Sequence, residues 1–399
     1  MARALSNWLD SYVDLHFNTE PATIFHLWTG YSIIAATLRR KISLQLGRLV
    51  YHPNIYVVFV AEPGVARKTQ AINFGIKFLD TIPDIKVSSD SATKEAMTDD
   101  VEGSALDELM PTGETLRHSS LNIISREFES FLGQKKENTR MLTALTDLYD
   151  CPENWSSRTR HGTSNKIIRP WVNLLAATTP ESLASSLPST AVGGGLTSRV
   201  LFVWADKKAK SVAIPSTTPE EDELRGKLER DLYMISRMSG QFSMTKECRT
   251  NWIDWYVNFN EDEDGNRICK DKSFNGWYSR KPSMIMKVSM LCAAAESNQT
   301  ILQWHQVQRA IRDIEQVEKV MGNAFKAMGK SEISSLVDDV HTEIKRSEIV
   351  SEKQLMSLFW RDMDSQKFDV VMETLVKTGT VRREYIGPNK EKGIWYRAI

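Results

Sequence analysis

The sequence predicts an α/β protein with a largely parallel sheet, an N-terminal helical segment, a helical region and a terminal unit of three helices and a hairpin. Three observations carry this expectation. Residues 55–69, Ile-Tyr-Val-Val-Phe-Val-Ala-Glu-Pro-Gly-Val-Ala-Arg-Lys-Thr, pass from a short apolar strand through a loop into an amphipathic helix. Strand-like and helix-like stretches then alternate as far as Trp204, as in sheets whose strands are joined by crossover helices. Residues 331–399 read as three helices followed by two short strands about a turn.

Composition bounds the rest. With 399 residues, 41% hydrophobic and 26% charged, the chain has room for two or three domains. Its 51 basic and 51 acidic side chains cancel, so any nucleic-acid contact must come from a local basic patch. Cys151, Cys248, Cys269 and Cys292 lie far apart without metal-ligand spacing, which predicts reduced thiols and a cytoplasmic location. The chain start lacks an apolar export core, and no apolar stretch is long enough to span a bilayer, so no membrane is expected as a partner.

Residues 1–50 form the expected helical segment, with Trp8, Leu9, Tyr12 and Leu15, then Phe25, Trp28, Tyr31, Ile34 and Leu38 at helical spacing, closed by Arg39-Arg40-Lys41. Residues 51–206 form the core, with strands at 55–60, 85–89, 121–125, 171–177 and 199–204 and helices after Lys68, at 92–109 and at 138–150. A polar, proline-punctuated stretch marks a linker. Residues 222–330 read as a helical lid domain, interrupted by an acidic loop at 261–265. Residues 331–399, with helices at 332–346, 352–361 and 365–378 and strands at 380–385 and 393–398 about a turn at 387–390, predict a winged helix. Its wing carries Arg382, Arg383, Lys390 and Lys392.

The loop at 61–69 resembles G-x-x-x-x-G-K-[ST], with Glu62 and Arg67 where glycines are usual. A phosphate cradle needs inward backbone amides at a helix N-terminus, a cation for the phosphate oxygens and a hydroxyl for magnesium. Gly64, Val65, Ala66 and Arg67 supply the turn, Lys68 the cation and Thr69 the hydroxyl. The alternative is an ordinary strand-to-helix turn ending in Lys-Thr. Downstream, the buried strand 121–125 ends at Ser125-Arg126-Glu127, where Glu127 is the candidate base for a hydrolytic water. Arg126 stands where an Asp would normally hold the metal; the alternative is a surface ion pair.

Strand 171–177 ends in Thr178 and Thr179, of which Thr178 is the first candidate to sense a phosphate or place a water. Arg199, after Gly193-Gly194-Gly195, starts the next strand; it is a candidate for stabilising a transferring phosphoryl group, or a local salt-bridge residue. Between Trp155 and Arg169, Arg158, Arg160 and Lys166 alternate about Gly162-Thr163, as in a hairpin suited to a single-stranded nucleic-acid backbone, or one merely solvated.

These segments resemble the helicase-like P-loop ATPases of bacteriophages and plasmids, often joined to primases, and more distantly the minichromosome-maintenance branch of the AAA+ proteins. The matching residues are 52–58, Gly64 to Lys68, Ser91-Ala92-Thr93-Lys94-Glu95, Ser125-Arg126-Glu127-Phe128, 145–150 and Gly194 to Arg199, spread over residues 20–205. The resemblance implies a P-loop AAA+ type ATPase core that uses ATP and Mg2+. It implies a ring-forming homo-oligomer, a hexamer, with Lys68, Thr69 and Glu127 from one subunit and Arg199 from the next. Arg280 would be a second phosphate-sensing arginine in the lid, before a helix that follows Pro282.

The function so implied is a DNA translocase or helicase acting on single-stranded or forked DNA in the replication of a phage or other mobile element. Replication proteins such as a primase would be its partners, in the cytoplasm of a bacterial host. The rival expectations are an ATPase fold that binds DNA or a partner without turnover, and an ATP-dependent helicase loader or initiator.

Overall fold

The apolar run at 56–60 forms the middle of a five-stranded sheet. The computed structural model describes residues 2–88, 93–132, 135–158, 164–187, 194–261, 266–269, 274–325, 332–360, 363–387 and 391–399. The sheet contains β1 (Tyr56–Val60), β2 (Ala105–Leu109), β3 (Thr115–Ser125), β4 (Pro170–Thr178) and β5 (Val200–Trp204), in the order β2-β3-β4-β1-β5. β1 runs parallel to β4 and β5, and β3 parallel to β4; β2 returns antiparallel along the outer edge of β3. Every residue of β1 and β4 is buried. That is why these strands read as continuous rather than alternating apolar runs: both faces of a parallel sheet are covered.

The register gives the sheet two chemically different edges. Val60 stands opposite Thr178 and Trp204, and Ser125 opposite Ala176, so the ends of β1, β3 and β4 share one edge. Tyr56 stands opposite Val200, so the start of β5 lies at the other edge.

The chain divides into two compact units, Met1–Phe325 and Lys326–Ile399, and the N-terminal helices belong to the first. Helix Thr23–Leu38 is buried almost all round and seats Phe25 against Phe59, ring centroids 4.5 Å apart. Beside it runs helix Lys68–Leu79, at a distance only glycine allows: a Cβ on Gly75 would stand 2.4 Å from the Thr29 methyl. Trp8 donates to the Leu228 carbonyl at 2.9 Å, and the buried Tyr31 hydroxyl donates to Asp313 at 2.6 Å. Trp8, Trp28, Trp171 and Trp277 are fully buried, and each contributes on the order of 3 kcal/mol through the apolar surface removed from water.

Arg39, Arg40 and Lys41 look like a surface patch in sequence and are all buried. Arg39 and Lys41 pair with Glu108 of β2. Arg40 donates to the carbonyls of Cys151 (2.8 Å) and Pro170 (2.7 Å) and to Glu153 (2.8 Å). Each carbonyl would otherwise be an unpaired polar group in the interior. The triplet is therefore a rivet between the N-terminal segment and the sheet.

Several expected elements differ. The helix expected over 92–109 is Lys94–Gly103 within the described residues, and 105–109 is β2. The turn closed by Met110 N–H to Glu114 C=O, 2.8 Å, folds β2 back on β3, and this pairing outweighs local helix propensity. The strand expected over 85–89 is a single parallel bridge from Val87 to Asn122; residues 89–92 lie outside the described residues.

The helical region also holds strands Gly240–Met244 and Ile301–Leu302. They join the hairpin of Ile42–Leu46 and Leu49–Tyr51 in a four-stranded sheet; the parallel pairings that add them to it link segments remote in sequence, so no local pattern announces them. The helix expected after Pro282 begins earlier, spanning Asn275–Glu296 with the proline inside it. Burial of Met284 to Ala295 offsets the roughly 3 kcal/mol that an interior proline costs.

In the second unit, helices Glu332–Ser347, Glu352–Phe359 and Ser365–Lys377 enclose Val340, Ile344, Leu355, Phe368, Val371 and Tyr396. Strands Val381–Ile386 and Lys392–Ala398 form the expected hairpin, with residues 388–390 of its turn outside the described residues. A third strand, Ile349–Ser351, pairs with Lys392–Ala398. Ser351 and Asp364 cap the two helices that follow them.

No helix among the described residues is long and apolar enough to cross a membrane. The four cysteines are free, with Cys151, Cys248 and Cys292 buried.

Replacing Arg40 by Ala strands two buried carbonyls, and should lower the unfolding free energy by about 3 kcal/mol. Urea unfolding followed by tryptophan fluorescence measures this; a loss below about 1 kcal/mol would contradict the rivet role.

Candidate functional site

The loop between β1 and helix Lys68–Leu79 carries two left-handed residues. Gly64 has φ of 72°, and Arg67, immediately before the helix, has φ of 57°. Glycine adopts this conformation freely, whereas a residue with a Cβ loses on the order of 1–2 kcal/mol. This is the physical reason the usual motif has glycine before its lysine. Here the strain is held by two ties from the N-terminal segment. The Arg67 Nε donates to Glu20 at 2.8 Å, and the Ala22 amide donates to the Ala66 carbonyl at 3.3 Å.

Glu20 gathers more than the loop. Its carboxylate accepts from Lys208 at 2.6 Å and from the Val212 amide at 3.3 Å, and its carbonyl accepts from the Ala209 amide at 3.0 Å. Lys208 foremost, then the Val212 amide and Arg67, hold the Glu20 carboxyl down to about 2. Glu20 thereby joins the loop to the segment that leaves β5. Sequence reasoning missed it, because nothing local distinguishes this glutamate from a surface one.

Lys68 turns back over the loop, its ammonium donating to the Ala61 carbonyl at 2.5 Å and the Glu62 carbonyl at 3.3 Å. Burial lowers its pKa, and Glu62 and Glu181 oppose that shift. A cleft of about 470 Å3, lined by Glu20, Gly64, Arg67, Lys68, Thr69 and Gln70, opens at this place. Glu20 and Gln70 also line a neighbouring hollow of about 470 Å3 that includes His16, Thr19, Phe74 and Arg225. Val65 and Ala66 complete the turn, Ala66 buried and Val65 exposed. The amides of Lys68 and Thr69 open the helix, where no preceding turn offers them a carbonyl.

Thr178 and Glu127 share the loop's edge. The Ala61 amide points at the Thr178 carbonyl at 3.5 Å, and the Thr178 side chain is nearly buried. Thr179 is occupied otherwise, its hydroxyl accepting from the Ser182 amide at 3.1 Å to cap helix Pro180–Ser186. That helix carries Glu181, whose charge acts on Lys68, a second residue that sequence reasoning did not single out. Glu127 is exposed just beyond β3, and its carboxylate accepts from Ser130 at 3.2 Å. Arg126 Nε donates to Asn73 of helix Lys68–Leu79 at 2.9 Å, which fastens the end of β3 to that helix.

Arg199 and Arg280 are not brought to Lys68. Arg199 donates to Asp150 at 2.8 Å and to the Gly195 carbonyl at 2.9 Å, at the start of β5. Arg280 reaches the same carboxylate at 3.4 Å. β1 separates this edge from the loop by its five residues, about 17 Å of strand. The expected hairpin is present in strands Asn154–Arg158 and Ser164–Ile168, with Lys166 exposed. Arg160 and the Gly162-Thr163 turn lie outside the described residues, as does Gly193.

No protein-family model matches this chain, and no curated protein matches it.

Glu20 also generates a pH dependence. Its carboxyl titrates near 2 in the folded chain against an ordinary value of 4.5. Its stabilising contribution is therefore complete above about pH 4.5 and lost as acid protonates it toward about 2. Thermal unfolding of wild type and Glu20→Gln should show a constant gap above that window that closes within it. Parallel acid limbs would contradict the assignment.

Proposed function

We propose that this chain is an ATPase of the AAA+ type that assembles with copies of itself and acts on DNA. The observation that carries the reading is the placement of Lys68, Thr178 and Glu127 at one edge of a parallel sheet, with Arg199 at the other. Nucleotides bind outside the carboxyl ends of parallel strands, and the loop, the cleft and the adjoining hollow all lie beside the end of β1. The triphosphate would lie on the loop and the nucleoside in the hollow between Phe74 and Thr19.

Lys68 would exchange the carbonyls of Ala61 and Glu62 for phosphate oxygens, a gain because its ammonium is partly desolvated. Glu127, solvated and placed at the strand end, would orient and deprotonate the attacking water. Thr178 would accept or donate a hydrogen bond at the terminal phosphate. Thr69 offers the hydroxyl for magnesium, which when bound supplies charge neutralisation between the phosphates.

Arg199 cannot reach the phosphates on its own Lys68, so a neighbouring copy would deliver it. The sequence stretch bearing Arg158, Arg160 and Lys166 and the winged-helix unit would contact single-stranded or forked DNA, the first through phosphates. Translocation or strand separation during replication of a mobile element is the use this reading favours.

One observation favours a second reading. Arg126 occupies the place of a metal-binding acid and is engaged with Asn73. An ATPase fold that binds nucleotide and DNA without turnover, or a loader for another helicase, fits that feature.

Magnesium-dependent ATP hydrolysis, measured with and without single-stranded DNA, decides between them. Lys68→Ala should abolish turnover through lost nucleotide binding. Glu127→Gln should keep binding and lose turnover by about a hundredfold or more. Wild-type rates in both variants would overturn the site, and binding without hydrolysis by the wild type would favour the second reading.

A further inference from the structure

The hollow beside the phosphate loop carries two side chains whose hydrogens are already committed. His16 is buried and lines this hollow of about 470 Å3. Its Nδ1 lies 2.8 Å from the Tyr12 carbonyl, an oxygen that can only accept, so this nitrogen carries the ring hydrogen. Burial pushes the imidazole down to about 4, and the ring is therefore neutral near neutral pH. The Nε2 is left with a lone pair and has no hydrogen-bond partner among the described residues.

Thr19, also on the wall of the hollow, is committed in the same way. Its hydroxyl donates to the His16 carbonyl at 2.7 Å, which uses its only hydrogen. The His26 Nε2, 2.9 Å away, must then donate to the Thr19 oxygen, and one lone pair of that oxygen remains. The carboxylates on the wall are engaged elsewhere, Glu20 with Arg67 and Lys208 and Glu221 with the Thr218 amide. Packing fixes the His16 ring, whose centroid lies 4.8 Å from those of His26 and Phe74 and 4.5 Å from that of Tyr12. Lys77 and Arg225 line the same hollow and carry donors only.

We propose that His16 determines which base the hollow takes: its Nε2 accepts the exocyclic amine of a 6-aminopurine, and the Thr19 oxygen reinforces the same preference. A purine with a carbonyl at that position sets one lone pair against another and leaves the His16 nitrogen without a hydrogen, so the site selects by exclusion as much as by attraction. Lys77 and Arg225 supply donors for the ring nitrogens on either side of the amine. The bond to Tyr12 and the surrounding rings preset the imidazole, so this side chain loses no freedom when the base arrives. This inference rests on the reading of the loop as a nucleotide site and adds the base that is read.

The test is the affinity of this chain, with magnesium, for ATP, for purine riboside triphosphate, which lacks the amine, and for ITP and GTP, which carry a carbonyl in its place. ATP should bind about tenfold more tightly than purine riboside triphosphate and at least about a hundredfold more tightly than ITP and GTP. His16→Phe, which keeps an aromatic ring and removes the acceptor, should bring ATP and ITP within about threefold of each other. The wild-type comparison stands even where the variant does not fold. ITP binding as tightly as ATP to the wild type, or an unchanged preference in a folded His16→Phe, would overturn the proposal and leave the nucleotide reading standing. GTP binding more tightly than ATP would show the acceptors taking the N–H edge of guanine, and would overturn it likewise. Binding of none of these triphosphates would overturn both.

Discussion

The parallel pairing of β1 with β4 and β5 is the constraint on which the rest of this molecule depends. Parallel strands all end at the same edge, so the register that puts Val60 beside Thr178 and Trp204 also puts Tyr56 beside Val200. One edge then carries backbone amides, a lysine and a glutamate. The other carries Arg199, Asp150 and Arg280. No side-chain motion converts one arrangement into the other, because the strands between them are buried along their whole length. The proposed sharing of one site between two copies rests on that polarity.

The second feature is local. A loop that has arginine where glycine is usual must hold a left-handed residue with a side chain, and it does so through Glu20. The same glutamate binds Lys208 and the Val212 amide, so the conformation of the loop is tied to the segment beyond β5. The degenerate motif is therefore a loop whose flexibility has been replaced by a tether from the N-terminal segment.

Much of this was legible in the sequence, and the parts that were not share a cause. Continuous apolar runs revealed β1 and β4, since burial on both faces leaves a strong signal. The helices and hairpin of the second unit were legible because their caps and turn are local, Ser351 and Asp364 among them. The strand Gly240–Met244 was not, because its partners lie elsewhere in the chain, and β2 was not, because residues 105–109 continue a helical pattern and become a strand only by pairing with β3 across the turn at 110–114. The burial of Arg39, Arg40 and Lys41 was hidden likewise, as their partners are Glu108, Glu153 and distant carbonyls. The positions of Lys68 at the start of a helix and of Glu127 just beyond a strand were readable, whereas the contacts of Glu20, Glu181 and Asp150 arise only in three dimensions.

In the proposed reading, the loop after β1 grips the distal phosphates of a nucleotide. Titration calorimetry of this chain with ATP, ADP and AMP in the presence of magnesium tests that grip. ATP and ADP should bind, and AMP, which lacks the β- and γ-phosphates that Lys68 would hold, should bind at least about a hundredfold more weakly. Equal affinity for all three, or no binding of ATP, would contradict it.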